Sequence, residues 1–92
     1  MQVRWTSEAA QDLDNVAKYL FEQTPAHAPR LIREICKAPN ELKMFPHRGR
    51  PGKKEGTREL VLSSLPYILV YQVRGDVLYV VRILHGAQQW PG

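Results

Sequence analysis

The apolar positions change their period along the chain, and those changes divide it into parts. Residues 2–5 read as a short strand, ended by Thr6-Ser7, either of which can cap a following helix. Ala9, Leu13, Val16, Ala17 and Leu20 then recur at spacings of three and four, which predicts a helix over about Glu8–Glu22 with one apolar stripe. Glu8, Asp12 and Asp14 lie early in it and Lys18 late, as the helix dipole favours. Thr24-Pro25 breaks the pattern. A second helix is predicted over about Ala26–Leu42, with Leu31, Ile32, Ile35 and Leu42 turned inward. Pro39 is expected to kink or split it, because the ring removes a backbone donor and crowds the preceding turn. Cys36, on the same helix, reads as a buried small residue rather than a nucleophile.

From Phe45 to Gly56 the periodicity stops, and three glycines and two prolines mark a loop. Three stretches rich in β-branched and aromatic residues follow, roughly Thr57–Ser63, Tyr67–Val73 and Val77–Leu84. Ser64-Leu65 with Pro66, and Arg74-Gly75-Asp76, are short enough to make both connections hairpins. The predicted fold is α+β: an N-terminal strand, a helical hairpin, then a three-stranded antiparallel meander (β-α-α-β-β-β), with the helices packed on one sheet face. With even hairpin loops, one face carries Arg58, Leu60, Leu62, Tyr67, Leu69, Tyr71, Val73, Leu78, Val80, Arg82 and Leu84. The other carries Glu59, Val61, Ser63, Ile68, Val70, Gln72, Val81 and Ile83, and His85 if the strand continues that far. The first face is the more apolar and is expected to seat the helices, with Arg58 and Arg82 at its margins.

Composition narrows the function classes. The chain has 92 residues, 43% hydrophobic and 24% charged, which fits a single globular domain over residues 1–92. No apolar run approaches the roughly 20 residues of a membrane-spanning helix. The opening Met1-Gln2-Val3-Arg4-Trp5 lacks the pattern of a signal peptide, and Cys36 has no partner for an internal disulfide, so a cytoplasmic location is expected. The net charge of +4 is unevenly spread. Residues 1–45 balance, whereas Arg48, Arg50, Lys53, Lys54 and Arg58 stand against Glu55 alone over residues 48–58. Such a cluster attracts phosphate or an acidic protein, or is simply a solvated loop. His27, His47 and His85 are too scattered to propose a metal site, and no cofactor is implied.

Several segments together resemble one family. Trp5-Thr6-Ser7-Glu8-Ala9-Ala10-Gln11-Asp12-Leu13, Phe45-Pro46-His47-Arg48-Gly49-Arg50 and Gly56-Thr57-Arg58-Glu59-Leu60-Val61 occur in the order seen in the RelE/ParE superfamily. Pro66-Tyr67-Ile68-Leu69-Val70-Tyr71-Gln72-Val73 and the Leu84-His85-Gly86-Ala87-Gln88 segment continue the resemblance over essentially the whole chain. It implies a growth-inhibiting toxin held silent by a cognate antitoxin. Within the superfamily, RelE-type members cleave messenger RNA at the ribosome and ParE-type members poison DNA gyrase.

RNA cleavage on this fold needs a base for the 2′-hydroxyl, cations on the phosphate and an acid for the leaving oxygen. In RelE-like nucleases basic residues sit on the strand opening the meander and just after the aromatic of the next strand. Here those places hold Glu59, Val61 and Ile68, and an isoleucine cannot stabilise a pentavalent phosphate. The resemblance is therefore closer to the ParE-like branch. If the chain is a nuclease, His85 is the candidate acid, Arg58 and Arg82 the cations and Glu59 the base. Otherwise His85 packs at a strand end and Glu59 pairs with an arginine. For binding the antitoxin or the target, the candidates are Arg48, Arg50, Lys53, Lys54, Gln88 and Trp90. The antitoxin is expected to present an acidic, amphipathic segment. The alternatives are thus a ParE-like gyrase poison, a RelE-like endoribonuclease acting on ribosome-bound mRNA, and a member that binds antitoxin without toxicity.

Overall fold

A computed structural model describes residues 1–62, 66–86 and Trp90. Its elements are β1 (Gln2–Trp5), α1 (Ser7–Gln23), α2 (Ala28–Leu42), β2 (Arg50–Pro51), β3 (Arg58–Val61), β4 (Tyr67–Arg74) and β5 (Val77–His85). The α+β class and the helical hairpin follow the sequence reading. The sheet is richer than a meander: five strands in the order β1-β5-β4-β3-β2, with β1 parallel to β5 and the other pairs antiparallel. The added strand, β2, lies in the segment read as loop. It is only two residues long and sits at the sheet edge, where a proline is tolerated.

Local chemistry sets the helix ends. The Thr6 hydroxyl accepts from the Ala9 N–H at 3.1 Å and so caps α1. Pro29 in the first turn of α2 loses no helical bond by lacking an N–H. Of the kink or split expected at Pro39, the split does not occur: α2 runs on through it. Pro39 lies in the last turn, and its ring is packed among the most deeply buried side chains. Beyond it the chain closes with tighter bonds, Lys43 N–H to the Asn40 carbonyl and Met44 N–H to the Glu41 carbonyl, both 3.3 Å. Cys36 is exposed rather than buried. Ile35, Ala38 and Leu42 define the inward stripe, and one step of about 100° from Ile35 carries the next side chain off it.

The core joins Ala9, Val16 and Leu20 of α1 and Ile35, Ala38 and Leu42 of α2 to one sheet face bearing Tyr67, Leu69, Tyr71, Leu78, Val80 and Ile83. Strand register explains that membership. Gly75, at φ +57°, and Asp76 make a two-residue turn, so Arg74 pairs with Val77, Val73 with Leu78 and Tyr71 with Val80. Past that point Val70 pairs with Arg82 and Leu69 with Ile83, leaving Val81 as an extra residue on β5. This bulge reverses the predicted facing of the end of β5. Ile83 and His85 share the face of Leu69 and Tyr67, whereas Arg82 and Leu84 share that of Val70 and Ile68. Val70 and Leu84 are buried as well, but outside the helix-side core.

The parallel strand β1 pairs with only Val77–Val80 of the nine-residue β5. Beyond Trp5 the chain turns into α1, and side chains take over the pairing. Thr6 N–H donates to the Val80 carbonyl at 3.0 Å and the Thr6 hydroxyl to the Val81 carbonyl at 2.9 Å. The Asp12 carboxylate accepts the Ile83 N–H at 2.9 Å and both Nε and Nη2 of Arg82 at 2.7 and 3.1 Å. The Asp12 hydrogen bond and charge hold the Arg82 guanidinium above its ordinary pKa against the opposing effect of burial. Replacing Asp12 by Ala removes three charge-assisted bonds and leaves a half-buried N–H and guanidinium behind. It is expected to cost about 2–4 kcal/mol and to lower the thermal midpoint by roughly 10–20 °C. Circular dichroism melts check this; a loss under about 1 kcal/mol would mean that the pair acts only as a surface ion pair.

Candidate functional site

The segment between α2 and β3 is fixed from beneath by one phenol. Tyr71, wholly buried, donates its hydroxyl to the Pro46 carbonyl at 2.7 Å and accepts the Gly49 N–H at 2.9 Å. Gly49 has to be glycine here: a Cβ would lie 2.8 Å from the Tyr71 ring and hydroxyl and 2.9 Å from the Glu59 carbonyl. Arg58, half-buried, adds bonds from Nη1 to the Gly49 carbonyl at 2.7 Å and the His47 carbonyl at 3.3 Å. The Thr57 hydroxyl ties down the next turn through the Lys54 carbonyl. The loop is thus a built surface.

Two kinds of side chain stand on that surface. Arg48, Lys53 and Lys54 are exposed, and among the described residues none of them forms an ion pair. Arg50 is committed: its Nε and Nη2 lie 3.2 and 3.1 Å from one carboxylate oxygen of Glu59. Beside the cations, Met44 and Phe45 are 76% and 66% exposed. With Pro46, His47 and Arg48 they line a depression of about 490 Å³ that is open to solvent. The sequence reading passed over these two apolar residues. The available signal was their position just past the last inward residue of α2, with no helix or strand period to turn them inside.

The four candidate catalytic residues do not converge. Arg58 and His85 share the helix-side face, but they pair with Tyr71 and Tyr67 respectively, four residues apart along β4; that is about 13 Å at strand rise. Glu59 and Arg82 lie in one row on the opposite face with Val70 between them, roughly 10 Å apart at the usual strand spacing. Each is held by another partner, Arg50 for Glu59 and Asp12 for Arg82. The expected pairing of Glu59 with an arginine is present. Val61 and Ile68 are direct cross-strand neighbours on that same face.

His85 is exposed and meets Tyr67 edge-on, with ring centroids 6.0 Å apart. Together with Asn15, Val16 and Tyr19 they line a second cavity of about 270 Å³. Burial, and secondarily the nearby Tyr19, push the Tyr67 phenol up from its ordinary pKa. Desolvation also raises the Cys36 thiol, which disfavours a reactive thiolate. Trp90 is half-buried, and Gln88 lies outside the described residues. Among the described residues no group of three His, Cys, Asp or Glu side chains is placed to hold a metal ion, and no helix is long and apolar enough to cross a membrane.

Removing the Tyr71 hydroxyl tests whether the loop depends on it. Tyr71→Phe leaves the Gly49 N–H and Pro46 carbonyl without their partner and is expected to cost about 1–3 kcal/mol. Amide exchange at Gly49 should accelerate by more than at α1. Uniform acceleration across the fold would show that the hydroxyl adds global stability without fixing the loop.

With this geometry, the chain can be set beside known proteins. It is 39% identical over 90 residues to "Putative toxin Y4kP" of Sinorhizobium fredii, covering 98% of this chain and 93% of that one. It is 34% identical over 87 residues to toxin RelE2 of Caulobacter vibrioides, covering 95% and 97%. The fold matches a solved structure of the chromosomal ParDE toxin–antitoxin system from P. aeruginosa with a TM-score of 0.84 at 27% identity, covering 92% of this chain and 95% of that one. Residues 3–90 match the family described as ParE toxin of type II toxin–antitoxin system, parDE. The chain belongs to the ParE toxin family, within the RelE/ParE superfamily of type II toxins.

Proposed function

We propose that this toxin acts in the cytoplasm as a ParE-like inhibitor of DNA gyrase, through protein–protein contact, and that a cognate antitoxin silences it. The observation that carries this reading is the sheet face away from the helices. Glu59, Val61 and Ile68 occupy it where a nuclease of this fold needs cations. Glu59 is neutralised by Arg50, and the one arginine of the same row on β5, Arg82, is engaged by Asp12. A phosphate arriving there meets a carboxylate and aliphatic carbon, which offer no transition-state stabilisation. The similarity to a ParDE system points the same way.

The competing reading, a RelE-like ribosome-dependent mRNA endoribonuclease, draws on the name RelE2 of one relative and on His85 at the 270 Å³ cavity. Induction in a bacterial host separates the two. A gyrase poison should inhibit supercoiling and raise DNA-damage signalling while messages stay intact. A nuclease should cut messages and arrest translation with supercoiling unchanged, which would overturn the proposal. Loss of neither would make the chain an antitoxin-binding member without toxicity. His85→Ala gives a second readout: growth inhibition should persist, whereas a nuclease using His85 as its acid loses roughly 10²-fold or more.

A further inference from the structure

Met44 and Phe45 are the two most exposed of the large apolar side chains on the described surface, and they are neighbours in the chain. Solvated carbon of this size is ordinary when scattered and informative when it lines a concavity. Here it lines a shallow, open depression of about 490 Å³ with Pro46, His47 and Arg48. The backbone beneath is already ordered by Tyr71 and Arg58, so little entropy is lost when a partner settles on it. In the chain around the cavity basic groups outnumber acidic ones: Lys43, Arg48, Lys53 and Lys54 are exposed against Glu41 and Glu55. Lys43 and Arg48 flank Met44 and Phe45 in sequence and are exposed, and Lys53 and Lys54 follow in the same loop. The acid nearest in sequence to these last two, Glu55, is outnumbered, and Glu59 is taken by Arg50.

We propose that this patch is the anchor site for the cognate antitoxin, which inserts large apolar side chains against Met44 and Phe45 from a segment rich in Asp and Glu. The inference rests on the toxin–antitoxin reading above and adds its place on the surface. The chemistry selects such a segment: apolar side chains fill the cavity, and carboxylates meet the surrounding ammonium and guanidinium groups. The second cavity lacks this complementarity. Asn15, Val16, Tyr19, Tyr67 and His85 line it, with no lysine or arginine among them.

The test uses the purified toxin and its cognate antitoxin. Phe45→Glu should weaken the complex by roughly tenfold or more, as loss of a central apolar anchor does. Phe21→Ser alters a comparably exposed apolar side chain near the other end of the helical hairpin and should leave affinity unchanged. The triple variant Arg48→Glu, Lys53→Glu, Lys54→Glu should weaken binding and flatten its salt dependence. Melting curves report folding, and Phe45→Ser with Met44→Ser replaces the glutamate variant if that one melts early. Affinity unchanged in the Phe45 variants overturns the site while leaving the toxin–antitoxin reading intact. Failure of the wild-type toxin to bind at all overturns both. Lost toxicity with full antitoxin affinity assigns the patch to the cellular target, and dissociation of a toxin homodimer by Phe45→Glu with unchanged antitoxin affinity assigns it to self-association; either overturns the proposal.

Discussion

Strand β5 is nine residues long, yet its parallel neighbour β1 covers only four of them, and the remaining edge has to be satisfied by something other than a strand. Unpaired N–H and C=O groups beside an apolar core are costly. The fold meets the requirement with Thr6 and Asp12, one at the cap of α1 and one a turn and a half further on. The same two residues that close the edge therefore also fix where α1 begins and how it lies over the sheet. Ala9, Val16 and Leu20 then fall on the core, and α2 follows through the short Thr24–His27 connection. Arg82 completes the arrangement, since its side chain holds the carboxylate while the backbone of Ile83 uses it.

Much of this was legible in the residues. The apolar stripe of α1, a cap at Thr6 or Ser7 and a hairpin turn within Arg74-Gly75-Asp76 follow from period and turn chemistry, which act over a few neighbouring positions. What the pattern misses is set by partners remote in sequence. The Val81 bulge interrupts no apolar run, because Val80, Val81 and Ile83 suit either face. Only pairing with β4 and the cap from α1 decide which of them turns inward. Facing at Arg82, Leu84 and His85 changes with it. Pro39 survives inside α2 because the helix ends one turn later, and Cys36 is exposed because its neighbour Ile35 claims the core.

The candidate residues divide along the same line. A basic loop is visible from composition, but the sequence does not distinguish Arg50, which is spent on Glu59, from Arg48, Lys53 and Lys54, which face solvent. Nor does it distinguish Arg58 as a phosphate ligand from Arg58 as a brace beneath the loop. Met44 and Phe45 carry the opposite lesson. No helix or strand period assigns them a side, and only the fold shows them standing in solvent. A surface assembled from a braced backbone, two solvated apolar side chains and unpaired cations is suited to recognition of another protein. The opposite sheet face, with Glu59, Val61 and Ile68, has little to offer a phosphodiester.

The parallel contact between β1 and β5 joins the first strand of the chain to the last, so the register Gln2 to Val77 spans most of the described chain. During synthesis the helices emerge early, but the sheet face that they cover has its central strands made late, with β5 inserted between β1 and β4. Contacts of such sequence separation form slowly and together. The Met44–Arg48 surface has its Tyr71 brace only when β4 is in place. The face that packs the helices and the brace under the Met44–Arg48 surface thus rest on the same two late strands of the chain.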